Sequence, residues 1–402
     1  MKAQVRLLRN LSLLYLILKM NYPGSLTSKL PSVGTTIFTT MSALATQHNA
    51  INLSQGFPDF PVSKVLVDLV YKYMMEGKNQ YAPLAGIPPL RKTLCDKMER
   101  LYGTSYNWET EITITAGGTQ AIATAISSVI REGDEVIIFS PAYDCYAPFV
   151  ELNGGQPVFI KLKYPDYHID WEEVKKMITR RTRMIIVNSP HNPTGAVFTE
   201  QDLEQLAHLV HGSNILVLSD EVYEHITFDG KAHMSVARNP LLADRSFVVF
   251  SFGKTFHVTG WKMGYVLAPE NLMKEFRKVH QYEVFCVNAP IQYAFAEFLG
   301  DAKNYQIDKF YEQKRDLFRQ SIQGSRFKLL PCSGTYFQLL DYSEITNERD
   351  TDYAIRLIKE NGIAAIPVSV FYNVPEYNKV LRFCFAKHDD TLLEAGKILS
   401  LI

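Results

Sequence analysis

Cysteine is scarce in this chain and carries no pattern. Cys95, Cys145, Cys286, Cys332 and Cys384 are five in number and scattered, and no two form a Cys-x-x-Cys pair. That argues against a disulfide framework or a zinc site and fits reduced thiols in a cytosolic protein. An excess of charge of one sign is missing as well. Lys+Arg and Asp+Glu both total 42, so the formal net charge is zero. Nothing in that balance suggests a basic nucleic-acid surface or an acidic tail. The apolar run Leu11-Ser-Leu-Leu-Tyr-Leu-Ile-Leu18 falls well short of the roughly twenty residues a membrane span needs. No small-x-small cleavage site follows it, so residues 1–22 are expected to be an extension or a misassigned start rather than an export signal. Gly-x-Gly-x-x-Gly and Walker patterns are also lacking, which speaks against dinucleotide or nucleoside triphosphate use.

What the chain does have is length and apolar content. Its 402 residues exceed one ordinary core, and 47% hydrophobic residues suffice for large sheets and a sizeable subunit interface. Short apolar runs bounded by turn signals recur at Ile112–Thr115, Glu135–Phe139, Pro157–Ile160, Met184–Val187, Ile215–Leu218, Phe247–Phe250 and Gly264–Leu267. Helical patterns lie between most of them, as right-handed βαβ units require. The expectation is an α/β fold with a mostly parallel, doubly wound seven-stranded sheet. A large domain over residues 61–300 would be followed by a smaller α+β domain over 301–402, with 23–60 as an arm joining the small domain.

The strand ends hold the residues with chemistry. Lys254 follows Phe247-Val-Val-Phe250 between Ser251-Phe-Gly and Thr. A lysine just past a buried strand can be desolvated, which lowers its pKa and frees its amine, although a lone lysine there can equally be a snorkelling surface residue. Gly117-Gly118-Thr119-Gln120 opens a helix, where free amides and the positive dipole end favour an anion, or form a simple turn. Asp220 ends another strand, and a buried carboxylate there is costly without a cation. Arg382 lies among apolar residues in Leu381-Arg-Phe-Cys-Phe385; its planar fork suits a carboxylate, from a ligand or from the protein. Gly56 in Gln55-Gly-Phe-Pro permits close backbone approach to a ligand, or merely a turn.

Together these strings resemble the fold-type I, pyridoxal-phosphate-dependent aminotransferases. The resemblance is carried by Gln55-Gly-Phe-Pro-Asp-Phe60, Pro190-His-Asn-Pro-Thr-Gly195, Ser219-Asp-Glu-Val-Tyr223 and Ser251-Phe-Gly-Lys-Thr-Phe-His257, which occur in the required order. It covers the chain from about Pro23 to the C-terminus. The start Ser28-Lys-Leu-Pro-x-x-Gly-Thr-Thr-Ile-Phe38 is most similar to bacterial methionine aminotransferases of the kynurenine aminotransferase-like group. The resemblance implies pyridoxal 5′-phosphate as cofactor, with Lys254 carrying its aldehyde. Lys262, Ser251, Gly118, Thr119 and Gln120 would hold its phosphate end. Tyr143 would stack on the ring, Asp220 would pair with the ring nitrogen, and Asn192 and Tyr223 would meet the phenolic oxygen. Arg382 would clamp the substrate α-carboxylate beside Asn192 and the Gly56 amide.

Tyr81 would reach the neighbouring subunit's phosphate, so a homodimer with shared sites is implied. Phe38, Phe57, Tyr282 and Phe285 would line an apolar side-chain pocket. No second arginine accompanies them, which favours methionine and other apolar or aromatic donors over acidic ones. Some kynurenine-type relatives carry histidine where this chain has Cys286, a departure from kynurenine preference. Two other readings belong beside this one. A carbon–sulfur β-lyase of the same fold would release pyruvate and ammonia without an oxo-acid acceptor. A ligand-sensing regulator would need an added DNA-binding domain, which the residues before Met20 are too few to form.

Overall fold

Thr36 accepts the Thr39 amide at 3.3 Å and so starts the helix Ile37–Gln47. In this computed structural model residues 22–402 are described; the extension expected over 1–22 lies, apart from Tyr22, outside them. Residues 22–34 carry one turn, the Val33 amide donating to Leu30, and no helix or strand. From Thr35 onward, strand β1 (Ile51–Asn52) pairs in parallel with β11 (Ile363–Ala364).

All seven apolar runs become strands of one sheet: β2 (Ile112–Thr115), β3 (Glu135–Ser140), β4 (Gln156–Lys161), β5 (Thr182–Asn188), β6 (Leu216–Asp220), β7 (Ser246–Ser251) and β8 (Gly264–Leu267). Their order is β2-β8-β7-β6-β5-β3-β4. Strands β4, β3, β5, β6 and β7 are parallel, and β8 is antiparallel to both of its neighbours. The exception has a local cause. Between Ser251 and Gly264 the chain forms only the single turn Phe252–Thr255 and a short 3-10 turn. With no full crossover helix, the return lands antiparallel beside its own strand. Gly264 is required at that landing, because a Cβ there would stand 2.5 Å from the Phe250 carbonyl oxygen.

Both faces of this sheet are covered, so the middles of its central strands are apolar on both sides, as in Met184–Val187, Leu216–Leu218 and Phe247–Phe250. The helix Gly118–Val129 lays Ala121, Ile122, Ala125 and Ile126 against Val249 and Val266 on one face. On the other, Leu90, Leu94 and Met98 join Leu203, Leu206, Val248 and Phe250. Each fully buried Val, Leu, Ile, Met or Phe among them contributes about 1.5–3 kcal/mol. The second sheet, β12-β13-β10-β9, is antiparallel and built from β9 (Lys328–Leu329), β10 (Phe337–Asp341), β12 (Ile366–Pro367) and β13 (Val380–Cys384). Parallel β3, β5, β6 and β7 all end at one edge of the large sheet. Residues just past those ends converge there, where open α/β sheets bind ligands.

Candidate active site

A cavity of about 160 Å³ opens at that edge, lined by Gly118, Thr119, Tyr143, Asn192, Asp220, Tyr223, Ser251, Lys254 and Lys262 among others. A larger cavity of about 550 Å³ shares Asn188 with it, but it is walled by Phe139, Leu162, Phe198 and Met234 and contains no lysine from the Ser251–Gly264 segment. Size favours the second and chemistry the first. The smaller cavity gathers an amine, a buried carboxylate and a helix N-terminus, so it is the candidate site.

At one end stands the helix Gly118–Val129, with no side chain capping it. Its first-turn amides lack intrahelical partners and carry the positive dipole end. Gly117 precedes it at φ +81°, a left-handed conformation that glycine adopts without cost. Lys262 is also left-handed, at φ +53°, and lines the cavity beside Ser251. Gln120 departs from expectation. Its Oε1 accepts the Ala116 amide at 2.9 Å and its Nε2 reaches Thr124 at 2.6 Å and His280 at 3.2 Å. The side chain is committed to the helix start, and only the backbone amide remains for an anion.

Asp220 closes β6 and is 4% exposed. It accepts from the Tyr146 hydroxyl at 2.6 Å and from the Val222 amide at 3.3 Å. Burial raises its carboxyl pKa to about 6 in spite of the Tyr146 hydrogen bond. The neighbouring Glu221 is structural, buried with His233, Ser219 and the Val236 amide. Asn188 ties the strand ends together. Its Nδ2 donates to the Asp220 carbonyl at 2.8 Å and its Oδ1 accepts the Asn192 amide at 2.9 Å. Tyr223 and Tyr143 line the same cavity, and burial holds both phenols protonated.

Lys254 sits in the single turn after β7. Desolvation lowers its amine to about 8, and Nζ donates to the Gly56 carbonyl at 3.4 Å. Arg382, on β13, is 1% exposed. Its Nη1 donates to Asn192 Oδ1 at 2.8 Å and its Nη2 to the Ser54 carbonyl at 3.0 Å, while Nε has no partner. Its guanidinium lies 3.9 Å from the Phe337 ring centroid, with Phe38 and Phe371 both at 5.3 Å. Among the described residues no carboxylate forms a salt bridge with it. A buried guanidinium with an open donor, and no protein anion, suits a planar carboxylate from outside the chain.

Gly56, Arg382 and Phe38 lie outside the lining of this cavity and join it through Lys254, Asn192 and Arg382 respectively. Four other residues expected at the site are not brought to it within one chain. Tyr81 is 82% exposed and Tyr282 87%; Phe285 is 52% exposed and packs edge-on to Tyr81 at 5.2 Å. Phe57 is largely exposed, and its carbonyl accepts from Lys387 at 3.0 Å. Tyr282 and Phe285 sit at the end of the helix Glu270–Glu283 and just past it, where the chain runs over the surface. Conversely, Asn188, Tyr146, Ser54 and Tyr336 meet site residues and were not singled out. Asn188 stands just before the Pro190–Gly195 string, a signal that could have found it; the others carry no such local signal.

Residues 48–396 match the family model described as aminotransferase class I and II. The chain is 47% identical over 374 residues to the methionine aminotransferase of Escherichia coli strain K12, covering 92% of this chain and 97% of that one. It is 35% identical to human kynurenine–oxoglutarate transaminase 1, covering 87% of this chain and 91% of the relative. A solved E. coli structure described as having a methionine aminotransferase function superposes with a TM-score of 0.93 at 46% identity, covering 94% of this chain and all of the other.

Proposed function

The chain belongs to the class I and II aminotransferases, and from that premise we propose that it moves the α-amino group of methionine and other apolar or aromatic amino acids to a 2-oxo acid, with pyridoxal 5′-phosphate as cofactor. The observation that carries the reading is Lys254, a desolvated amine set in one cavity with the buried carboxylate of Asp220.

The residues fit the cofactor. Asp220 is buried and enters no salt bridge among the described residues, so a protonated ring nitrogen would supply the cation it lacks. The uncapped helix start at Gly118, with Ser251 and Lys262, fits a phosphate. Lys254 would hold the aldehyde, Tyr143 would cover the ring, and Asn192 and Tyr223 would meet the phenolic oxygen. Pyridoxal phosphate, when bound, supplies a carbonyl that condenses with amines and a ring that takes up the electron pair left on Cα.

The chain's own residues do the rest. Arg382 binds the substrate carboxylate through its unused donors and holds Cα in place. Lys254, as the free base, takes the α-proton; its lowered pKa puts a usable fraction of amine in that form near neutral pH. Asp220, kept anionic by a cation partner, favours positive charge on the ring. Tyr146 keeps that carboxylate oriented. Tyr81 and Phe285, exposed and edge-on to each other, and the exposed Tyr282 would complete the site of a second copy, and the working unit would then be a homodimer.

The donor class rests on the apolar surroundings of Arg382, namely Phe38, Phe337 and Phe371, and on the 47% identity to the methionine enzyme. A donor panel with several 2-oxo acid acceptors tests it. Methionine and phenylalanine turning over at least tenfold faster than aspartate is the expected outcome; equal rates with aspartate would overturn the donor assignment.

A further inference from the structure

The amine of Lys254 and the hydroxyl of Tyr336 share one acceptor oxygen. Tyr336, 0% exposed, donates to the Gly56 carbonyl at 2.6 Å, near the optimum for an O–H···O bond. Lys254 Nζ donates to the same carbonyl at 3.4 Å, close to the limit of a hydrogen bond. Three separate stretches of chain therefore meet at this oxygen: the Gln55–Phe60 loop, the turn after β7 and the residue just before β10.

We propose that Tyr336 is a positioning residue for Lys254: by occupying the Gly56 carbonyl it keeps the amine only loosely held and so available as the free base. The inference rests on the reading of Lys254 as the proton-moving amine. A hydrogen bond from an amine to a carbonyl favours the ammonium form, and a short one more than a long one. With the Tyr336 hydroxyl removed, the buried carbonyl would have one donor left within reach, and Lys254 would close on it. The ammonium form would gain, and less free amine would remain at neutral pH. The other titratable groups facing Lys254 are Asp220 and Tyr223 from the end of β6, Lys262 from its own segment, and Arg382 and Cys384 from β13. Tyr336→Phe keeps all of these residues and the ring packing against Tyr223 at 5.1 Å; of the group, Tyr223 alone loses a hydrogen-bond partner, the Tyr336 hydroxyl.

The test is competitive labelling of the cofactor-free protein with a limiting amount of acetic anhydride across a pH series. Acetylation of the Lys254 peptide is measured by mass spectrometry relative to that of exposed Lys64. In Tyr336→Phe the Lys254 midpoint should move to higher pH, and its labelling at neutral pH should fall about threefold or more, which corresponds to about half a pH unit. In the loaded enzyme the acid limb of the kcat profile should move the same way. An unchanged or lowered midpoint overturns the proposal. So does a variant that loses melting temperature and kcat equally at every pH, since that marks a structural role. Wild-type protein that takes up no pyridoxal phosphate on Lys254 would refute the functional reading itself. Uptake with an unmoved Tyr336→Phe midpoint refutes this inference alone.

Discussion

Arg382 donates from Nη1 to Oδ1 of Asn192 at 2.8 Å, joining β13 to the turn after β5 across 190 residues of sequence. The bond orients the guanidinium and at the same time uses the amide oxygen of Asn192, leaving that side chain's Nδ2 as its remaining donor. Arg382→Lys keeps the charge but loses the fork and the stacking on Phe337. The expected result is a raised KM for the amino-acid donor and a kcat/KM lower by about tenfold to a hundredfold, the equivalent of 1.5–3 kcal/mol in charge-assisted hydrogen bonds. Steady-state kinetics with methionine checks it.

Asp220 gives a prediction about stability with a definite sign. Burial raises its pKa in the fold from 3.8 to about 6, so the folded state binds the proton more tightly than the unfolded chain. The stability from that proton is fully present below about pH 4 and is lost as pH rises through about 6. Asp220→Asn mimics the protonated form at every pH. Without cofactor the variant should be more stable than wild type above pH 6, by about 1–3 kcal/mol, with the gap closing below about pH 4. Its transaminase activity should nevertheless fall by orders of magnitude. Urea unfolding at several pH values measures the first effect.

The exposed pair Tyr81 and Phe285 leads to a complementation test. Lys254→Ala and Tyr81→Ala chains should each be impaired alone. Co-expressed in equal amounts, half of the dimers would be mixed and each would hold one intact site, restoring about a quarter of wild-type activity. Mixed samples no more active than the average of the two parents would place Tyr81 outside a shared site.

Much of this architecture was legible in the sequence because the signals are local. The seven sheet strands are apolar runs between turn signals, and each was found within a residue or two of its observed bounds. Asp220 ends a strand, and Lys254 and Asn192 lie within a few residues of one, so finding the strand located the residue. Arg382 stood out as one charge in an apolar strand. Contacts made by chain closure were not legible. Tyr146 meets Asp220 across 74 residues and Tyr336 meets Gly56 across 280, and an aromatic beside a strand reads as core until its partner is known. The use made of the Gln120 side chain was hidden for a different reason. Its position at the helix start suggested an anion ligand, but the Ala116 amide needed an acceptor and the side chain supplied it. The antiparallel β8 was hidden too, since its direction follows from a short connection and not from its own residues.

The central claim is that Lys254 is the amine that carries the aldehyde, and covalent trapping tests it most directly. Purified protein is incubated with pyridoxal 5′-phosphate, reduced with borohydride, digested and mapped by mass spectrometry. The account predicts a single pyridoxyl-modified peptide containing Lys254, and its disappearance in a folded Lys254→Ala variant that also has no measurable transamination. A stable adduct on another lysine with Lys254 unmodified, or turnover retained in Lys254→Ala, would contradict it.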